Sequence, residues 1–122
     1  EFLRELCACL PLVPLLEVLD LSENNIQKED TELLGTCLAS VPHLSELSLS
    51  YVQLRGDSLD PIARAFVHVP LLRRLNLSLN SLGAAGACCL QRNLIHIPLL
   101  MDLKLQQTSL GKNGIGWLSS AF

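Results

Sequence analysis

The 122-residue chain has the length of one ordinary domain, and its hydrophobic content of 49% is mostly aliphatic, since aromatic residues make up only 4%. Many medium-sized apolar side chains suit a repetitive core. The net charge of −3, with Lys and Arg interpreted as scattered along the chain, predicts no nucleic-acid binding. Charged residues interrupt every apolar stretch before the roughly 18 residues that span a bilayer, so no membrane insertion is expected.

The five cysteines are odd in number and lack the spacing of a metal site: Cys7, Cys9, Cys37, Cys88 and Cys89. A secreted disulfide framework favours an even set, and no signal peptide is visible at the N-terminus. Reduced thiols in the cytoplasm are therefore expected, with the nucleus as the alternative. Because Cys9 and Cys37 occupy one repeat position, which Ala65 also fills, both are predicted to lie in the core.

A leucine pattern, L-x-x-L-x-L, recurs every 28 residues, at 16–21, 44–49, 72–77 and 100–105. A second marker has the same period: Val13-Pro14, Val41-Pro42, Val69-Pro70 and Ile97-Pro98. Two independent features with one spacing are typical of a repeat protein. We therefore predict a single array over residues 1–122, with a partial repeat at 1–15 and repeats that start at 16, 44, 72 and 100.

The first half of each repeat predicts a short strand followed by a turn. Alternate leucines point to one face of a strand. The turn position after it is filled by Asn24, Val52, Asn80 and Thr108. An Asn side chain can bond the backbone groups of a turn beside the core, whereas Val52 cannot, so its turn must be satisfied differently.

The second half of each repeat predicts a helix, because its apolar residues recur with helical spacing. The residues of this face are Thr31, Leu34, Cys37 and Leu38, then Leu59, Ile62, Ala65 and Phe66, then Ala87, Leu90, Asn93 and Leu94, then Ile115, Leu118, Ala121 and Phe122. The Val/Ile-Pro pair ends each helix, since the residue before proline avoids the α region. Stacked units give an α/β solenoid with a parallel sheet on the concave face and helices on the convex face.

Both ends of the chain fall within predicted helices, and neither carries a polar capping segment of the kind that terminal repeats use. The chain is therefore expected to be a slice of a longer array. Uncapped ends also predict end-to-end self-association of this slice.

The repeat resembles the ribonuclease-inhibitor-like class of leucine-rich repeats, through Leu-Asp-Leu-Ser-Glu-Asn-Asn-Ile at 19–26 and Gly-Ala-Ala-Gly-Ala at 83–87. That class includes ribonuclease inhibitors, Ran GTPase activators, actin regulators and NOD-like receptors. The steady 28-residue spacing looks most like a NOD-like receptor of the NOD/NLRC type. The resemblance implies a protein-binding, ligand-sensing or autoinhibitory module of an intracellular innate immune receptor. An enzyme regulator of the ribonuclease-inhibitor or Ran-activator kind is the alternative.

The solvent-facing strand positions are the candidate site, since the leucines are committed to the core. The partner-binding residues predicted on this concave face are Glu46, Ser48, Tyr51, Arg74, Asn76, Leu79, Asp102 and Lys104. One row places Arg74 between the carboxylates of Glu46 and Asp102. These charges either bind a partner or form cross-strand ion pairs that stabilise the sheet. Another places Tyr51 beside Leu79, either an interface anchor or scattered surface hydrophobes.

No catalytic, cofactor or metal site is predicted. Gly83 and Gly86 ease the turn into a helix and do not form a phosphate loop, and no Ser-His-Asp arrangement can be assembled. His68 and His96 occupy equivalent positions near helix ends, where a metal or pH-sensing pair is one hypothesis and a favourable helix dipole the other. The chain is therefore predicted not to be an enzyme.

Overall fold

The computed structural model describes residues 2–119, with the side chains of 117–119 left out. Four short strands form one parallel sheet in chain order: β1 (Val18–Asp20), β2 (Glu46–Ser48), β3 (Arg74–Asn76) and β4 (Asp102–Lys104). Five helices precede, separate and follow them: α1 (Phe2–Cys9), α2 (Lys28–Cys37), α3 (Gly56–Arg64), α4 (Gly83–Asn93) and α5 (Gly111–Ser119). The chain therefore folds as the predicted α/β leucine-rich repeat solenoid.

The strand register repeats the sequence period, because Leu19 pairs with Leu47, Leu47 with Leu75 and Leu75 with Leu103. These leucines point inward, and Leu47 and Leu75 are each only 1% exposed. The residues on either side of each leucine point outward. One in-register pairing thus places all four repeats' outward side chains in rows on one face.

The buried Asn80 completes the turn that Val52 cannot. Its Oδ1 accepts hydrogen bonds from the backbone amides of Val52 (3.1 Å) and Leu54 (3.0 Å) in the preceding repeat. Its Nδ2 donates to three backbone carbonyls, those of Leu49, Leu77 and Ser78. One side chain therefore satisfies backbone groups in two repeats, which explains how the second repeat tolerates an apolar residue at this position.

Each of the first four helices ends in a 3₁₀ turn before the Val/Ile-Pro pair. These turns span Leu10–Leu12, Leu38–Ser40, Ala65–His68 and Leu94–His96. The valine after the second turn, Val41, has φ −127° and ψ 65°, outside the α region as predicted for a residue before proline. The tighter turn brings the chain back to the sheet within a few residues.

Helices α2 and α3 pack so closely that a side chain would not fit between them at Gly35. A Cβ placed on Gly35 would lie 2.7 Å from the carbonyl oxygen of Pro61. Glycine is therefore required there by space, although its φ needs no left-handed freedom.

Two predicted core residues are exposed. Cys9 is exposed on α1, the first described helix, which has a neighbour on one side only; Cys7 is the buried thiol instead, at 8% exposure. Ile115 is 59% exposed on α5, whereas its counterpart Ala87 is fully covered by that helix. Both predictions were wrong for one reason: this helix face needs a neighbouring repeat. The core predictions for Leu118, Ala121 and Phe122 fall outside the side chains described.

Candidate protein-binding face

The outward side chains of the four strands line a shallow groove of about 240 Å³ on the concave face. Six of the predicted site residues line it: Glu46, Ser48, Arg74, Asn76, Asp102 and Lys104. Their side chains alternate with the buried leucines, which form the floor. The structure therefore brings these predicted residues together on one surface.

The first row of the groove is Val18, Glu46, Arg74 and Asp102, in register across the sheet. Arg74 pairs with Glu46 at 3.1 Å between Nη1 and Oε1, and both side chains are partly exposed. Of the two carboxylates that flank Arg74 in this row, Glu46 forms an ion pair with it in the described structure. Val18 is 54% exposed and gives the row an apolar end.

The second row is Asp20, Ser48, Asn76 and Lys104. Hydrogen bonds from the Ser22 hydroxyl and amide, and from Ser48, hold the pKa of Asp20 below its usual value. Asp20 is therefore ionised at neutral pH, at the opposite end of the row from the exposed Lys104. Asn76 accepts from the Ser78 amide at 3.0 Å, which fixes its side chain.

Tyr51 and Leu79 lie just beyond the strands, in turns, and not within them. Both have left-handed backbone angles, with φ 54° and 61°, which bulky residues rarely adopt. Their amides donate to the carbonyls of Ser78 (3.0 Å) and Gln106 (2.9 Å) in the next repeat, so the sheet ladder imposes this geometry. The side chains are 58% and 45% exposed, and neither is among those that line the groove. We call them the rim pair, because each lies three residues beyond a groove-lining strand residue, Ser48 or Asn76.

The carboxylates are segregated along the chain, whereas Lys and Arg are spread from Arg4 to Lys112, as predicted. Residues 1–60 hold eleven of the twelve carboxylates but only three Lys or Arg, whereas residues 61–122 hold one carboxylate and six Lys or Arg. Counting charges separately in the two halves would have found this from the sequence. In the groove itself, the first strand contributes Asp20, and the last strand contributes one acid, Asp102, and one base, Lys104.

The two candidate histidines belong to no cluster of metal ligands among the described residues. His68 and His96 lie exposed on successive 3₁₀ turns, and across residues 2–119 no three His, Cys, Asp or Glu side chains lie together as metal ligands would. In the same part of the chain, no helix is long and apolar enough to cross a membrane.

Comparison with known proteins identifies the repeats. Residues 15–37 and 70–90 match the family patterns "Leucine Rich Repeat" and "Leucine Rich repeat". No curated protein is significantly similar to the chain. These matches establish leucine-rich repeats, a fold suited to binding other proteins.

Two solved structures share the fold over 99% of this chain. One is a tropomodulin C-terminal domain from Caenorhabditis elegans, with TM-score 0.77, 19% identity and 75% of that chain covered. The other is leiomodin-1 actin-binding site 2, with TM-score 0.82, 15% identity and 72% covered. At such identities the likeness establishes the solenoid architecture alone.

Proposed function

We propose that this chain is a protein-binding module that receives its partner on the concave face. The observation that carries the proposal is the rim pair Tyr51 and Leu79, two exposed apolar side chains held in left-handed turns by ladder hydrogen bonds. Glu23 and Gln107 share this backbone geometry in the other repeats, so the exposed aromatic and aliphatic side chains are what distinguish the rim pair. Aromatic anchors dominate interface energies. The charged rows beneath them supply specificity.

The opposite charges of Asp20 and Lys104, at the two ends of the second row, favour an extended partner segment that lies across the strands. Its basic side chains would meet Asp20, its acidic side chains would meet Lys104, and an apolar residue would contact the rim pair. This geometry uses the predicted residues Glu46, Ser48, Arg74, Asn76 and Asp102 as the groove walls.

A more specific form of this proposal is that the module belongs to a NOD-like receptor. Its support is the 28-residue spacing and the motif at 19–26, and neither similar structure named above is such a receptor. A nucleotide-binding domain encoded upstream of these repeats in the same gene is the expected finding. An acidic tail without other domains would instead favour a Ran-type regulator.

Actin is a specific second candidate as partner, because one of the similar structures is itself an actin-binding site. Co-sedimentation of the chain with actin filaments, and gel filtration with actin monomers, would test it. Absence of binding in both assays would exclude actin and leave the wider proposal to the experiment below.

The experiment is a pulldown from cell extract with the intact protein, comparing the wild type with the Tyr51→Ala, Leu79→Ala double variant. The matched control is Leu12→Ala, Leu15→Ala, which removes two exposed apolar side chains, 79% and 71% exposed, outside the concave face. Circular dichroism first verifies that both variants are folded. Each truncated anchor is expected to cost about 1–2 kcal/mol of binding free energy, enough to lose the partner.

A partner retained by the wild type and the control but lost by the rim variant supports the concave face. Equal recovery by all three proteins would refute the site assignment.

A further inference from the structure

A second apolar surface lies on the solenoid edge where the 3₁₀ turns return to the strands, away from the groove. We call it the edge patch, formed by Val67, Leu71, Arg73, Ile95, Leu99 and Met101. Its five apolar side chains are between 40% and 78% exposed. Scattered single hydrophobes are normal on a protein surface, but a contiguous set marks an interaction site.

Repeat geometry makes the edge patch contiguous. Val67 and Ile95 occupy equivalent positions on adjoining 3₁₀ turns, and Leu71 and Leu99 each follow the proline one period apart. At the strand side, the Met101 amide donates to the Arg73 carbonyl at 2.8 Å. The Arg73 guanidinium also lies 3.9 Å from the Met101 sulfur. The patch therefore spans two neighbouring repeats.

The edge patch lies in a part of the chain that is rich in cations, although the exposed Asp102 directly follows Met101. Residues 61–101 contain no Asp or Glu. Arg64 is neutralised by Asp60 at 2.8 Å and Arg74 by Glu46 at 3.1 Å. Within the described part of the chain, Arg73 and Arg92 form no ion pair with a carboxylate; Arg73 belongs to the patch, and Arg92 precedes Ile95 by three residues.

Apolar side chains beside unpaired cations fit the interface of an anionic bilayer. There, arginines meet phospholipid headgroups while aliphatic side chains enter the acyl boundary. Single-stranded nucleic acid is bound through base-stacking aromatics and a duplex through many phosphate contacts, whereas five of the six patch residues are apolar and none is aromatic. We propose that the edge patch docks the protein peripherally on membranes that contain anionic phospholipid. This surface is separate from the concave groove, so it does not depend on the function proposed above.

The test is co-sedimentation of the full chain with phosphatidylcholine vesicles, with or without phosphatidylserine, at physiological ionic strength. Binding is expected only with phosphatidylserine and is expected to weaken as salt rises. Ile95→Ser, Met101→Ser should reduce partitioning at least about tenfold, because it removes the most exposed aliphatic groups. Arg73→Gln should reduce it about fivefold, the effect of one cation near an anionic surface.

The matched control is Leu12→Ser, Leu15→Ser, on the same edge in the acidic half. These leucines are 79% and 71% exposed, and Leu15 occupies the repeat position of Leu71 and Leu99. This variant, and the Tyr51→Ala, Leu79→Ala variant, should bind as the wild type does. Circular dichroism verifies each fold, and Ile95→Ser alone serves if the double variant is unfolded.

Several outcomes would overturn the proposal. These are no binding to phosphatidylserine vesicles, equal binding to phosphatidylcholine alone, or an equal loss in the Leu12, Leu15 control. Full displacement by soluble polyglutamate, together with no effect of the Ile95, Met101 substitutions, would assign the cations to an acidic protein surface instead.

Discussion

Replacing Asn80 by alanine should destabilise the protein far more than replacing its counterpart Asn24. The substitution leaves two buried backbone amides, those of Val52 and Leu54, without an acceptor. Each unsatisfied buried amide costs about 1–3 kcal/mol, so the expected loss is about 2–6 kcal/mol. Domains of this size have total stabilities of about 5–15 kcal/mol, which makes the variant marginal or unfolded at room temperature.

Asn24 is the matched control, because it is exposed and donates only to the carbonyls of Leu21 and Ser22. Water can replace those bonds, so Asn24→Ala should cost about 1 kcal/mol or less. Urea titration followed by circular dichroism measures both losses. Hydrogen exchange locates them: in Asn80→Ala the amides of Val52 and Leu54 should exchange faster than those of the repeat that carries the substitution.

Equal losses of stability in the two variants would refute the reasoning, since burial and the number of satisfied groups would then be irrelevant. Faster exchange confined to the repeat that contains Asn80 would refute the claim that its side chain completes the preceding turn.

Two further predictions concern packing and thiol chemistry. Gly35→Ala should destabilise the protein by about 1–3 kcal/mol in thermal unfolding, because its Cβ would press on the Pro61 carbonyl. Gly116→Ala is the control: nothing lies within 4 Å of the new Cβ, so it should stabilise the protein by up to about 1 kcal/mol. A loss of stability in both variants would contradict the argument. Burial, with contributions from neighbouring thiol and carboxyl groups, raises the pKa of Cys7 to about 12. At pH 9 mass spectrometry should therefore find Cys9 alkylated in the native state and Cys7 protected, and rapid labelling of Cys7 would contradict its burial.

The sequence predicted the strands and their register well, because a constant period leaves one alignment in which every core leucine points inward. It also predicted that Asn80 would bond backbone groups in its turn. It could not show that the same side chain reaches the preceding repeat, since that contact depends on how adjoining turns stack in three dimensions.

The candidate groove was predicted more completely than the rim. Glu46, Arg74 and Asp102 followed from strand alternation, which is local. Tyr51 and Leu79 were assigned to strand positions, because their left-handed backbone is imposed by hydrogen bonds from the next repeat and opposes their own preferences. The edge patch was missed altogether: aliphatic residues between core leucines resemble core until the fold shows which of them point outward.

The direction of the hydrogen bonds between the turns of neighbouring repeats determines where one repeat can be exchanged for another. At each turn, the amide of one repeat donates to a carbonyl of the following repeat, as Glu23 does to Ser50 and Tyr51 to Ser78. A unit cut at the leucine that begins a strand would therefore leave its last turn incomplete. A transplantable second repeat must extend beyond residue 79, so that it carries Asn80 with it. The modular unit of this solenoid is thus longer than its period.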